Sequence, residues 1–165
     1  MPIRRAQATD LPAIVAIYNA SIPGRRATAD TQPVTVAQRT PWFEEFAATG
    51  RPLWVEVDPA SGSVAGWLSL RSFYGRPAYQ ATVEIAVYVA PDRTRAGVAR
   101  RLVAHALEHA PGMGIRSILA FVFGHNDPSI RLFEAFGFKG WGRLPTVAEL
   151  DGVERDVLIL GLRVA

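Results

Sequence analysis

Cysteine is missing from the 165-residue sequence. That excludes a thiol nucleophile, a disulfide scaffold and a cysteine-ligated zinc. Lysine is almost missing too: Lys139 stands alone, so arginine carries nearly all the positive charge. The sequence has no long basic run, and its formal excess of +3 is small, so nucleic acid is not an expected partner. No stretch approaches the roughly 20 apolar residues of a membrane span. The start, Met-Pro-Ile-Arg-Arg-Ala-Gln, has no apolar signal core. A cytoplasmic protein without a membrane partner is the expectation. Also absent are a Gly-x-Ser-x-Gly elbow, a Walker loop and a strand-led Gly-x-Gly-x-x-Gly, the marks of common hydrolases and nucleotide-binding folds.

What is present is ordinary globular material, 49% hydrophobic and 20% charged. A chain of this length buries roughly two-thirds of its unfolded surface without a metal or disulfide staple. No repeat or linker divides it, so residues 1–165 read as a single domain. An arginine-based pI of 9.8 suits an anionic small molecule, because guanidinium groups meet phosphate and carboxylate as planar forks.

Ile3 to Ala6 can begin a strand. Asp10 as N-cap and Pro12 in the first turn predict a helix with a stripe of Ile14, Ile17 and Tyr18, ending near Pro23. Thr35 and Gln38 have capping-box spacing ahead of Trp42, Phe43 and Phe46, with Gly50 as the stop. Leu53–Val57, Val64–Phe73 and Thr82–Val89 read as strands. Gly97–Ala110 has helical spacing, and Ile115–Phe123 is a buried apolar run. Asp127-Pro128 caps a helix closed by Gly137, and strands over 138–144 and 153–163 flank the Asp151-Gly152 turn. Antiparallel neighbours early and strand–helix–strand crossovers late predict an α/β sheet with helices on both faces.

The segment from Thr82 to Leu102 is the most informative. A strand enters a short basic loop, and Gly97 opens a helix. Free N–H groups at a helix start bind phosphate oxygens, with the helix dipole behind them. Gly97 and Ala99 keep the surface low, while Arg93, Arg95, Arg100 and Arg101 supply charge. The same residues also suit a plain strand-to-helix turn with a solvated arginine face.

Thr94-Arg-Ala-Gly97-Val-Ala99 resembles the acetyl-CoA motif of the GNAT superfamily of N-acetyltransferases, Gln/Arg-x-x-Gly-x-Gly/Ala, with Thr94 departing at the first position. Asn126-Asp-Pro-Ser129-Ile-Arg-Leu-Phe-Glu-Ala-Phe-Gly137-Phe138 is similar to the second half of that signature. Ile3-Arg-Arg-Ala, Ile17-Tyr-Asn19, Arg76-Pro-Ala-Tyr79 and Thr82-Val-Glu84 resemble the branch of phosphinothricin and methionine sulfoximine acetyltransferases. The resemblance implies a splayed, mostly antiparallel sheet with the acetyl-pantetheine arm between two strands. It implies that Val87, Tyr88 and Val89 offer backbone groups to that arm, often beside a bulge. Arg95, Ala96, Gly97, Val98, Ala99 and Arg100 would cradle the diphosphate, with Asn126 on the other side. It also implies acetyl-CoA as donor, no metal, and pairing as a homodimer.

Transfer to an amine needs a base to take the amine proton. Glu84, in an otherwise apolar strand, is the candidate; a solvated or arginine-paired carboxylate is the alternative. Arg76 and Tyr79 fall where the branch binds substrate: a fork for a carboxylate, and an aromatic that closes the pocket. Phe133 stands where relatives carry an acid, which leaves Tyr88, water or unaided departure for the thiolate. His105 and His109, four apart on a helix, read as a surface pair. The implied reaction is direct acetylation of an amino acid or amino-acid analogue. A polyamine, an aminoglycoside or a protein N-terminus are other acceptors, and an acyl-CoA sensor without turnover is the non-enzymatic alternative.

Overall fold

A computed structural model describes residues 1–165. Its strands are β1 (Ile3–Arg5), β2 (Leu53–Val57), β3 (Val64–Ser72), β4 (Thr82–Val89), β5 (Ser117–Phe123), β6 (Lys139–Leu150) and β7 (Val153–Arg163). Four helices join them: α1 (Leu11–Ser21), α2 (Val36–Thr49), α3 (Val98–His109) and α4 (Asp127–Ala135). The strands form one sheet in the order β1-β2-β3-β4-β5-β7-β6. Only β4 and β5 run parallel; every other pair is antiparallel.

Both faces are covered, as the two-sided burial of β3 requires. On one face, Val98, Leu102, Val103 and Ala106 of α3 pack with Leu68, Leu70, Val83, Ile118 and Phe133. On the other, Ile14, Ile17 and Tyr18 of α1 and Phe46 of α2 enclose Leu53, Val55 and Trp67. The indole N–H of Trp67 donates to Ile14 O at 3.1 Å, satisfying the one polar atom of that ring. Trp42 stacks edge-on against both Phe46 and Trp67 in the same cluster.

Local signals account for most boundaries. Thr35 Oγ1 accepts from Gln38 N–H at 3.1 Å and Gln38 Oε1 accepts from Thr35 N–H at 2.9 Å, closing the capping box of α2. Asp151 and Gly152 both have positive φ, 52° and 78°, the backbone of a tight hairpin turn. One cap falls elsewhere than expected, and one bonds elsewhere. Asp10 holds the N-cap position of α1, but its side chain makes no bond to that helix. A 3₁₀ turn, Ala8–Asp10, precedes that helix, and the Asp10 carboxylate reaches back to Gln7 N–H and to Arg4. Asn126, not Asp127, caps α4: its Oδ1 accepts from Ser129 N–H at 3.4 Å.

The late hairpin also differs. β6 continues past residue 144 to Leu150, with a break in register between Leu144 and Ala148. Pro145 is tolerated because β6 is an edge strand. Thr146, at φ 52°, donates its N–H to Asp156 Oδ1 at 2.8 Å and so mends the bulge. β7, not β6, inserts beside β5. Trp141 is half exposed, its ring lying over Gly161, so it is neither core nor pocket wall. No helix is long and apolar enough to cross a membrane.

Candidate active site

The parallel pair that holds the two halves of the sheet together is short. Thr82, Val83 and Glu84 pair with Ser117, Ile118 and Leu119, and there the ladder stops. Both strands continue, so β4 and β5 part. Ala90 N–H donates to Ala65 O, and Thr82 O accepts from Phe73 N–H, both on the β3 side. By the alternation of an antiparallel ladder, Glu84, Ala86 and Tyr88 turn their backbone groups to β3, and Val83, Ile85, Val87 and Val89 turn theirs to β5. Val87 and Val89 therefore face the gap with no ladder partner. Tyr88 does not: its backbone is committed to Trp67, its partner in β3. Nor is there a bulge in β4, whose register along β3 is unbroken from Ser72↔Val83 to Gly66↔Val89.

The parted strands enclose a cleft of about 300 Å³. Glu84, Ala86 and Val87 form one wall, and Phe121, Phe123, Phe133 and Asn126 form the other. Phe133 is 4% exposed and packs on Phe138. Its ring is hydrocarbon without a proton to give. The segment after α1 straps the mouth of the cleft. His125 Nε2 bonds Arg25 O at 2.8 Å, Asn126 Nδ2 donates to Arg26 O at 3.0 Å, and Tyr88 OH donates to Ala27 O at 2.9 Å. Three successive carbonyls are thus held by side chains. The Tyr88 ring also stacks on Trp67, and burial pushes its phenol well above the usual range, so it keeps its proton. Asn126 uses one amide proton in the strap and keeps a second.

At the far end of β4 the chain enters α3. Arg95 and Gly97 both take positive φ, 63° and 79°. The amides of Gly97, Val98, Ala99 and Arg100 find no acceptor in the chain, since the first bond of the helix runs from Arg101 N–H to Gly97 O. The four arginines divide. Arg93 is paired with Asp58 at 2.5 Å and Arg101 with Glu56 at 2.6 Å. Those two do not offer free charge. Arg95 has no carboxylate partner, and Arg100 lies over the Phe136 ring at 5.6 Å. Thr94 Oγ1 donates to Pro91 O at 3.3 Å, within its own exposed turn.

A second cavity, about 740 Å³, opens beyond the start of β4 and is far more polar. Arg76 and Tyr79 line it, as do Glu45, Arg51 and Arg71. Sequence reasoning missed the last three. Arg71 sits directly across from Glu84 in the β3–β4 register and pairs with Glu45 at 3.1 Å. Arg51 Nη2 donates to Gln80 O at 2.7 Å, holding the loop that carries Arg76 and Tyr79. Arg76 has no carboxylate partner. Phe73, Tyr74 and Tyr79 cluster on the rim.

Glu84 is the one residue that lines both cavities. Burial pushes its carboxyl above the usual glutamate range, and the Arg71 cation draws it partly back. Elsewhere, His105 and His109 stack on each other and against Trp54. No group of three His, Cys, Asp or Glu side chains stands placed to hold a metal ion.

A sheet parted at its single parallel pair, with a bare helix start beside the gap, offers unpaired strand amides and an anion site side by side. The chain belongs to the acetyltransferase (GNAT) family, whose model matches residues 14–138. It is 48% identical to YwnH of Bacillus subtilis, named provisionally as a phosphinothricin acetyltransferase, over 98% of each chain. It is 33% identical to the L-methionine sulfoximine/L-methionine sulfone acetyltransferase of Pseudomonas aeruginosa, over 97% of this chain and 92% of that one. The crystal structure of a phosphinothricin acetyltransferase from Sinorhizobium meliloti in complex with AcCoA superposes with a TM-score of 0.92 at 27% identity, covering 98% of this chain and 87% of that one.

Proposed function

We propose that the protein acetylates the amine of an amino acid or amino-acid analogue from acetyl-CoA, in one step, with both substrates bound. The observation that carries this is the position of Glu84 as the shared wall of an apolar cleft and an arginine-rich cup. In this reading the pantetheine arm lies in the cleft, completing the ladder of Val87 and Val89 as a strand would. Tyr88 contributes its ring and the Ala27 contact instead of a backbone group. The diphosphate sits on the amides of Gly97 to Arg100, with Arg95 and Arg100 as free cations and Ala96 in the loop beneath. Asn126 offers its second amide proton from the opposite wall.

The acceptor's carboxylate meets Arg76, and Tyr79 closes over it. Glu84 takes one ammonium proton and passes it to solvent, the freed lone pair attacks the thioester carbon, and the nitrogen gives Glu84 its second proton as the carbon–sulfur bond breaks and the amide forms. With Phe133 apolar and the Tyr88 hydroxyl proton committed to Ala27 O, coenzyme A departs as a thiolate in this reading. Relatives named for phosphinothricin and methionine sulfoximine support the acceptor class. An acceptor screen that reads thiol release tests it. Arg76→Ala is expected to raise KM for an amino-acid acceptor by about 1.5–3 kcal/mol, roughly ten- to a hundredfold, the range of a hydrogen bond to a charged group. Turnover confined to amines without a carboxylate would sink this assignment. Donor binding with no turnover of any amine would favour a sensor.

The reading extends to a single-domain, cytoplasmic enzyme, the compartment where acetyl-CoA is met, and to a homodimer. The β6–β7 hairpin supports the pairing: Leu144, Val147 and Val153 are exposed on it, Val147 at 59%. Sedimentation equilibrium is expected to give twice the 18.0 kDa chain mass, and Val147→Glu with Val153→Glu to halve it. A native chain that sediments at the single mass excludes the dimer.

A further inference from the structure

Two charged side chains from distant parts of the chain meet beneath the loop before α3. Glu56, on β2, is 0% exposed, a rare state for a carboxylate. Its Oε1 accepts from Arg101 Nε at 2.9 Å and from Arg101 Nη2 at 2.6 Å, while Oε2 has no partner. The third arm of the guanidinium points the other way: Nη1 donates to Ala96 O at 2.9 Å. That same nitrogen stands 2.8 Å from where a Cβ on Gly97 would lie. One guanidinium, 42% exposed, is therefore gripped on one side by a buried carboxylate and bonded on the other to the turn before α3.

The consequence is directional. A carbonyl oxygen pointing outward among the free amides would repel an anion. Arg101 engages Ala96 O and so keeps it from turning in among the amides that follow. Glu56 cancels the charge of Arg101, so the pair shapes the loop without adding net attraction. A pair that merely stabilised the core would have no reason to hold the Ala96 carbonyl. We infer that Arg101, anchored on Glu56, is a positioning residue that keeps the amides of Gly97 to Arg100 aimed at the diphosphate of acetyl-CoA. The inference rests on the reading of that loop as the diphosphate cradle.

The test compares acetyl-CoA with S-acetylpantetheine, a thioester donor that has no diphosphate. Arg101→Met is measured beside the double variant Glu56→Gln/Arg101→Met, which leaves no buried charge unpaired. For both, KM for acetyl-CoA is expected to rise about tenfold or more, the loss of a charge-assisted bond, with kcat within about twofold of native. With S-acetylpantetheine, variant and native rates should coincide. An unchanged KM for acetyl-CoA overturns the inference, and so does an equal loss with both donors. A double variant that cannot fold overturns it too, because the pair would then serve the core and not the loop. If instead the native protein uses both donors with equal KM, it is the cradle reading that fails.

Discussion

Glu84→Gln is expected to bind acetyl-CoA as the native chain does while losing about a hundred- to ten-thousandfold in kcat, the usual share of a general base. The amide keeps the shape of the side chain at the junction of the two cavities but cannot accept the amine's proton. Native kcat/KM should climb with pH through the raised titration of Glu84, at higher pH than a surface carboxylate would give, and the variant should lose that limb. Folding adds an independent sign. A carboxyl whose folded pKa lies above its unfolded one favours the fold while protonated. That contribution is complete below the unfolded pKa and is lost as pH rises through the folded one. Once ionised, Glu84 is thus a burden on the fold, and above its titration Glu84→Gln should melt no lower than the native chain. A pH–rate profile with paired thermal melts checks both signs; a variant that retains native kcat removes Glu84 from the chemistry.

Gly97→Val should act on the donor alone. The native φ of 79° is strained for any side chain and worst for a β-branched one. A Cβ there would also approach Arg101 Nη1 to 2.8 Å. Strain of roughly 1–3 kcal/mol, released by turning the loop, corresponds to as much as a hundredfold in affinity for coenzyme A. Calorimetric titration reads it directly. Gly112→Ala is the control: that glycine has no positive φ and open space around it, so the affinity should not move. Native affinity in Gly97→Val would remove the diphosphate from this loop.

Much of this was legible in the residues. Thr82–Val89 is a strand to the residue, because β-branched positions fill it and Pro91 stops it. The Thr35–Gln38 pair and the Asp151-Gly152 turn carry their chemistry in local sequence. The remainder is non-local. Leu53–Val57 reads as a strand, but the burial of Glu56 within it is not legible there, because its partner lies 45 positions later in α3. Arg71 could be placed opposite Glu84 only once the β3–β4 register was known. Neighbouring polar residues compete to cap a helix, and at α4 Asn126 prevails over Asp127 because its side chain reaches Ser129 N–H. The place of β7 between β5 and β6 follows from pairing across the molecule, which no window of sequence carries.

A sheet normally has two borders. This one has a third, running inward along Val87 and Val89, where amide protons have only solvent or a guest to bond. A guest that bears peptide-like groups finishes the weave; one of equal bulk without them merely lodges in it. If the donor lies as proposed, occupancy tightens the halves of the molecule on either side of the seam, and the donor's own amide bonds become a removable rung of the protein's architecture.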